Sequence, residues 1–83
     1  MLEMQKFFNR GKEFWVRELA QVGANFDFDE VTESETAPEA ELGYGNPILS
    51  NMILGGYMVD VYRKESTSLE GKKSVSLYIH AKR

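Results

Sequence analysis

Seven carboxylate side chains lie within the fifteen residues DFDEVTESETAPEAE, numbers 27–41, and no lysine or arginine accompanies them. Side chains of this type and density can bind a metal ion, act as general acids and bases, or attract a positively charged partner. They are Asp27, Asp29, Glu30, Glu33, Glu35, Glu39 and Glu41. The three kinds of chemistry place different demands on spacing and neighbours, so the sequence can separate them.

The spacing of the seven carboxylates does not fit a calcium-binding loop. Counted from Asp27, the sixth position is Thr32, where such a loop requires glycine, and the twelfth is Pro38, where it requires a bidentate glutamate. Acid–base catalysis would require a buried carboxylate, and the neighbouring Thr, Ser, Pro and Ala residues desolvate little. We therefore predict no metal, no cofactor, no catalytic residue and no small-molecule substrate, and hence no enzyme.

The remaining specific interpretation is a contact surface for a partner protein that is itself basic. Carboxylates spaced along a chain can imitate nucleic-acid phosphates, which supply one charge per about 1.7 Å of duplex axis. Association would be accelerated by electrostatic steering and weakened by salt. Phe28 and Tyr44 could then supply apolar anchors beside the seven carboxylates. The alternative is a solvated loop that serves only solubility.

A second set of side chains suits single-stranded nucleic acid. Tyr62, Tyr78 and His80 alternate with basic residues such as Lys64 and Lys82. Aromatic rings on a sheet can stack on bases while lysines contact phosphates, although a pI near 5.1 makes nucleic acid the less favoured partner. The alternative is that this face is a homodimer interface, which would add core to a short chain. His80 is the only histidine, and without cysteine it cannot complete a zinc site.

Composition indicates one small domain spanning residues 1–83, with an acidic loop at residues 32–45. Ten aromatic residues and a hydrophobic content of 42% are enough for one core. Charge is unevenly distributed, because residues 18–62 contain nine acidic side chains and no basic one, whereas residues 1–17 and 63–83 are both net basic. Since the chain has no cysteine and no run of about 20 apolar residues, we expect a cytoplasmic protein that does not enter a membrane.

The N-terminal segment has the pattern of one long amphipathic helix. Apolar residues recur at spacings of three and four between Leu2 and Val22, which places them on one stripe. Gly23 is typical of the residue that ends a helix. Gly11 would cost about 1 kcal/mol in the middle of this helix, and the alternative is a hairpin turn at residues 9–12 between two short strands.

Three segments have the alternation that is typical of strands. Residues 25–31 alternate two phenylalanines with two aspartates, which predicts a half-buried strand with its acidic side chains in water. Residues 57–66 and 74–82 alternate in the same way, and Gly71 lies in the polar connection between them. We therefore predict a C-terminal β-hairpin whose core face consists of Val59, Val61, Val75, Leu77 and Ile79.

Residues 46–54 fit two structures. Asn46 and Pro47 are typical of a helix start, which would give a short second helix over residues 47–54. The alternative uses Gly55 and Gly56 as a two-residue turn between two strands. We favour the helix because Ser, Asn and Met at positions 50–52 are poor strand formers. The predicted fold is α+β, with the long N-terminal helix packed on an antiparallel sheet of three or four strands.

These observations predict a non-enzymatic regulator or inhibitor that works by protein–protein interaction. Its acidic segment, residues 27–41, would dock on a basic surface of a partner, such as a surface that binds nucleic acid. Small inhibitors carried by mobile elements, among them anti-CRISPR and anti-restriction proteins, often work in this way, which is an analogy of class alone. The two alternatives are a single-stranded nucleic-acid-binding module and a structural homodimer subunit, both using the face of Tyr62, Tyr78 and His80.

Overall fold

Two helices precede a four-stranded sheet in the computed structural model, which describes residues 2–54 and 56–82. The elements follow in the order α1 Leu2–Phe7, α2 Gly11–Gln21, β1 Glu30–Ser34, a 3₁₀ turn at Ala40–Leu42, β2 Leu49–Leu54, β3 Tyr57–Thr67 and β4 Lys73–Lys82. This arrangement confirms the α+β class. Among the described residues, no helix has the length and apolar character needed to cross a membrane.

The sheet is mixed, which corrects the expectation of a purely antiparallel one. Its strand order is β1-β4-β3-β2, and only the β1–β4 pair is parallel, with Val31 beside Leu77 and Ser34 beside His80. The two antiparallel pairs β2–β3 and β3–β4 make β2 run in the same direction as β4, and therefore as β1. The chain between β1 and β2, residues 35–48, must consequently travel back along the whole sheet before β2 can begin.

The prediction of one long N-terminal helix is wrong, because the helix ends at Phe7 and a second one begins at Gly11. Asn9 and Gly11 have positive φ angles of 69° and 84°, a conformation that glycine adopts without steric cost. The break allows Phe7 of α1 to meet Trp15 of α2 edge to face, with ring centroids 6.0 Å apart. The apolar stripe runs through the break because Phe7 of α1 and Trp15 and Leu19 of α2 are buried in the same core.

The predicted short helix over residues 47–54 is also wrong, and the alternative hairpin is correct. Residues 49–54 form β2, which pairs with β3 so that Leu54 lies opposite Tyr57. Gly56 has a φ of 87°, as a tight turn requires, while Gly55 lies outside the described residues. The weak strand formers at positions 50–51 coincide with an irregularity in the pairing, where Asn51 has a φ of 54°. The low strand propensity of residues 50–51 therefore coincides with a β-bulge.

The strand predicted at residues 25–31 begins later than expected. The paired strand β1 is Glu30–Ser34, and the residues before it form an extended approach to the sheet. Within that approach Phe28 is 2% exposed and belongs to the core, while Phe26 packs against its margin. The alternation of phenylalanine and aspartate indicates which side is buried, but the regular pairing with β4 starts at Glu30, and Asp29 before it bonds to Val75 of β4.

The core lies between the two helices and one face of the sheet. The predicted core face of the C-terminal hairpin is confirmed by the four fully buried residues Val59, Val61, Leu77 and Ile79. Val75, the fifth predicted member, is partly buried at the edge of this cluster. Trp15 and Leu19 of α2 pack on the same face and are 0% and 1% exposed. The opposite face of the sheet is therefore left for another layer.

Candidate interaction surface

The face of the sheet that points away from the helices, here called the outer face, is not open to solvent. It consists of Asp60, Tyr62, Lys64, Tyr78, His80 and Lys82. Tyr62 and Tyr78 are each only 9% exposed, and Asp60 is 8% exposed. The two tyrosines therefore do not present free rings to solvent, and contact of this face with nucleic acid or with a second copy of the chain stays a prediction.

The layer over the outer face is made by residues 35–44, here called the covering segment. Three side chains of the outer face contact its main-chain carbonyls. The Tyr78 hydroxyl donates to Thr36 O at 2.7 Å, and Lys64 Nζ donates to Leu42 O at 2.9 Å. His80 Nε2 lies 3.1 Å from Glu35 O, and Nε2 must carry the proton because a carbonyl oxygen can only accept. The acidic loop is therefore held against the sheet by these contacts and forms part of the folded structure.

Tyr44 completes this attachment with its aromatic ring. The ring lies edge to face with Tyr78 at a centroid distance of 5.5 Å, and Lys64 Nζ sits 4.9 Å from its centre. Burial raises the pKa of the Tyr44 hydroxyl, and the negative charge of Glu30 and the nearby Tyr78 raise it further. Tyr44 therefore packs inward, where it fastens the covering segment. Phe28 is buried in the core, and the role of the two rings as partner anchors stays a prediction.

Two of the seven carboxylates hold the fold together. Asp29 Oδ2 accepts a hydrogen bond from the Val75 N–H at 2.9 Å, while the Asp29 N–H donates to Val75 O at 2.7 Å. Glu33 Oε2 accepts from the main-chain N–H groups of Arg10 and Gly11 at 2.9 and 3.4 Å. These N–H groups lie at the start of α2, where no helical carbonyl can reach them. Asp29 and Glu33 therefore have structural roles, while Asp29 remains exposed, and their contact with a partner stays a prediction.

Glu33 acts as the helix cap that α2 lacks locally, since Arg10 makes no side-chain capping bond. We expect Glu33→Ala to lower the free energy of unfolding by about 1 kcal/mol, because a helix N-terminus loses both a hydrogen-bond acceptor and a favourable negative charge. Glu33→Gln should lose less, since its amide oxygen still accepts. Urea unfolding of the three proteins measures the difference. Equal stability of Glu33→Ala and the parent protein would contradict this role.

The carboxylate at Asp27 has basic side chains close by in the folded chain. Asp27 and Asp29 line one shallow cleft together with Lys12 of α2 and Lys73 of β4, and Lys12 Nζ also sits 5.6 Å from the centre of the Phe28 ring. The acidic block of the sequence is therefore partly offset at this end by lysines that are distant along the chain. The negative charge of the acidic block is therefore greatest at its other end, on and beside the covering segment.

Three exposed carboxylates lie at that other end. Glu30, Glu39 and Glu41 are exposed and form no ion pair with any residue that the structure describes. Glu35 is exposed as well, and its main-chain carbonyl is the group that contacts His80. We call Glu30, Glu35, Glu39 and Glu41 the acidic surface. The covering segment carries Glu35, Glu39 and Glu41, and it is held to the sheet through its main-chain carbonyl oxygens.

A charged cluster within the outer face was not predicted. Asp60 Oδ1 accepts hydrogen bonds from the Asn51 N–H at 3.0 Å and from Lys82 Nζ at 2.9 Å. His80 Nδ1 lies 3.6 Å from Asp60 Oδ2. Burial by itself would raise the pKa of Asp60, but these hydrogen bonds and the charges of Lys82 and His80 outweigh it and hold the pKa below its ordinary value. The one feature that could have predicted this cluster is that the C-terminal hairpin places Asp60 opposite His80.

Ser34, His80 and Asp60 stand side by side across β1, β4 and β3, and these residue types are those of a hydrolytic triad. The contacts differ from those of a triad. His80 Nε2 donates to the Glu35 carbonyl, and Ser34 Oγ accepts from the Thr36 N–H at 3.0 Å. His80 therefore does not face the serine hydroxyl as a base, and the row of side chains serves to tie down the start of the covering segment.

No group of three or more His, Asp or Glu side chains among residues 2–54 and 56–82 is arranged to hold a metal ion. Comparison of the chain with models of protein families, with curated proteins and with solved structures finds no match. The acidic surface and its attachment to the sheet are therefore the features from which a function can be inferred.

Proposed function

We propose that this protein is a non-enzymatic regulator or inhibitor that binds a partner protein through its acidic surface. The observation that carries the proposal is the way in which the covering segment is attached. The outer face bonds to the carbonyl oxygens of Glu35, Thr36 and Leu42, while the carboxylates of Glu39 and Glu41 stay exposed. A surface that is ordered before binding loses less conformational entropy when the partner arrives.

The charge of this surface indicates the kind of partner. Exposed carboxylates attract a surface rich in lysine and arginine, and a protein that handles nucleic acid commonly has one. We therefore propose a nucleic-acid-handling protein as the partner, bound in the manner of a phosphate mimic. The proposed setting is the cytoplasm, which agrees with the cysteine-free composition. Steering by charge should make association fast and sensitive to salt.

The test is the variant Glu30→Gln/Glu39→Gln/Glu41→Gln, used as bait for pull-downs from the native host with identification by mass spectrometry. We expect the partner captured by the parent protein to be lost, or its affinity to fall by about 3-fold to about 150-fold, since each of the three rim ion pairs contributes about 0.2–1 kcal/mol. Parent-protein capture should also weaken between about 50 mM and about 200 mM salt.

A matched control changes the same number of charges elsewhere. Glu13→Gln/Glu18→Gln/Glu70→Gln raises the net charge equally but alters α2 and the tip of the C-terminal hairpin. This control should capture the partner as well as the parent protein does. If both triple variants lose the partner equally, overall charge rather than the acidic surface is responsible. If neither loses it, the proposed function is wrong.

The alternative of single-stranded nucleic-acid binding through the outer face carries an added requirement. The covering segment would have to leave the sheet, which breaks the contacts of Tyr78, His80 and Lys64 with its carbonyls. The cost of those hydrogen bonds, about 0.5–1.5 kcal/mol each, would be subtracted from the binding energy. A gel shift with single-stranded oligonucleotides at low salt tests this alternative directly.

A further inference from the structure

Strand β2 is an open edge of the sheet, since β3 is its only neighbour among the strands described. In a two-residue hairpin the pair that closes the turn is hydrogen-bonded, and here that pair is Leu54 and Tyr57. The next pair, Ile53 and Met58, is then of the other kind, so the N–H and C=O of Ile53 point away from β3. Main-chain groups in this position are a template for another strand.

This edge lacks the charges that proteins usually place on open strands. Residues 42–59 form an uncharged run of eighteen residues between Glu41 and Asp60, and β2 lies in its middle. The opposite edge is different, because β1 carries Glu30 and Glu33 and Glu33 ties it to α2. Charged side chains and covering elements are the common protection of strand edges. The bulge at Asn51 protects only the first half of β2.

Exposed apolar side chains are concentrated in the uncharged run that contains β2. Of the seven large hydrophobic residues that are exposed in the described part of the chain, four lie between residues 42 and 59, namely Leu42, Ile48, Ile53 and Met58. Ile53 is the most exposed of these four, at 74%, although it stands in a regular part of the strand. An isolated exposed isoleucine needs no explanation, but one that flanks unpaired main-chain groups on a neutral edge indicates a contact.

We propose that β2 pairs antiparallel with β2 of a second copy of this chain, with Ile53 opposite Ile53 across a twofold axis, to give one continuous eight-stranded sheet. Charge favours a second copy of this chain as the partner of the β2 edge. The chain has a net charge of −3, so two copies repel each other wherever their acidic residues face, but the two β2 edges meet without any charge. A basic partner, in contrast, would be drawn to the acidic surface and gains nothing at a neutral strand.

The size of the contact predicts a weak dimer. With the twofold axis at Ile53, residues 52–54 of one copy face residues 54–52 of the other, a span of about 10 Å, and this contact buries far less than the roughly 800 Å² per partner that is usual for stable complexes. The dimer should therefore form reversibly. Because β1 and β2 are opposite edges of the sheet, Glu30 stays accessible in both copies, and its proposed contact with a basic partner does not depend on pairing at β2.

Sedimentation equilibrium of the full chain, over about 10 μM to 1 mM, should show the mass rising from 9.5 kDa toward twice that value. Ile53→Lys should raise the dissociation constant at least about tenfold, because two lysines meet at the twofold axis. Leu69→Lys is the matched control, since Leu69 is fully exposed at the tip of the β3–β4 hairpin, and it should dimerise like the parent protein.

A charge-swap experiment tests the symmetry of the contact. Ile53→Lys and Ile53→Glu should each be monomeric alone, and an equimolar mixture should dimerise again, because each lysine then faces a glutamate. Amide hydrogen exchange on the parent protein gives a measurement without substitution, and the Ile53 N–H should become more protected as concentration rises. A parent protein that stays monomeric throughout this range, or a dimer that Ile53→Lys and Leu69→Lys affect equally, would overturn the proposal.

Discussion

Trp15→Ala is expected to remove most of the stability of this domain. Trp15 is 0% exposed and lies within ring-contact distance of Phe7 and Phe14, with centroid separations of 6.0 and 5.1 Å. Truncating a buried aromatic residue of this size costs about 3–5 kcal/mol. A chain of 83 residues has a total stability of about 4–12 kcal/mol. The loss should appear in urea unfolding followed by far-UV circular dichroism as a much lower midpoint.

Two further variants control this result. Val16→Ala changes the exposed neighbour of Trp15 on the same helix and should shift stability by less than about 0.5 kcal/mol. Trp15→Phe should cost less than Trp15→Ala, because the indole Nε1–H is buried without a hydrogen-bond partner in the described structure, and the phenyl ring removes that unpaired donor. Stability of Trp15→Ala close to that of Val16→Ala would mean that α2 does not pack on the sheet as described.

Acid is expected to destabilise the protein through Asp60. Its pKa in the folded chain lies below the ordinary value because hydrogen bonds from Asn51 and Lys82, and the charges of Lys82 and His80, outweigh its burial. An aspartate with a lowered folded pKa stabilises the fold fully above its unfolded pKa of about 3.9, and that contribution is lost as the pH falls through the folded pKa. The free energy of unfolding should therefore decrease between about pH 5 and about pH 2.

Asp60→Asn identifies how much of this acid sensitivity belongs to Asp60. The variant should be less stable than the parent protein at neutral pH, and the difference should shrink in acid, where the parent carboxylate is protonated. The comparison is needed because Glu65 titrates in the same range, since the hydrogen bond and charge of Arg63 lower its pKa. If the parent protein and Asp60→Asn lose stability in parallel as the pH falls, Asp60 does not carry the effect.

Lys82→Met tests the same cluster from its other side. Removing the ammonium group leaves the Asp60 carboxylate with the Asn51 N–H as its remaining short contact and should cost about 1–3 kcal/mol at neutral pH. The loss should be smaller in acid, where Asp60 is neutral. Lys72→Met, an exposed lysine in the β3–β4 turn, is the matched control and should have little effect. Equal effects of the two substitutions would show that the cluster contributes nothing.

Local pattern predicted those parts of the fold in which neighbours along the chain are also neighbours in space. The C-terminal hairpin is the clearest case, since Val59 and Ile79 alternate with polar residues and both are fully buried. Periodicity did not predict the structure where the same apolar spacing fits two arrangements of the chain. Residues before and after Gly11 bury the same side, so periodicity could not distinguish one bent pair of helices from one straight helix. At Asn51 a poor strand former marked a bulge, which propensity alone cannot separate from a helix.

The candidate site was predictable in composition but not in the roles of its members. Asp29 and Glu33 belong to the same acidic run as Glu39 and Glu41, yet the first two bond to main-chain groups at Val75 and Gly11. Nothing in the spacing of the run separates these roles. The separation arises from partners that are 46 and 22 residues away along the chain.

The sequence by itself determined the α+β class, the apolar side of each segment and the concentration of negative charge between residues 27 and 41, because these follow from composition and local periodicity. Only the tertiary structure decided that the acidic run folds back over the sheet. The reason is topological, since β1 and β2 run in the same direction at opposite edges, and the chain between them has to cross the sheet. That crossing buries Tyr62 and Tyr78 and leaves Glu39 and Glu41 on the outside.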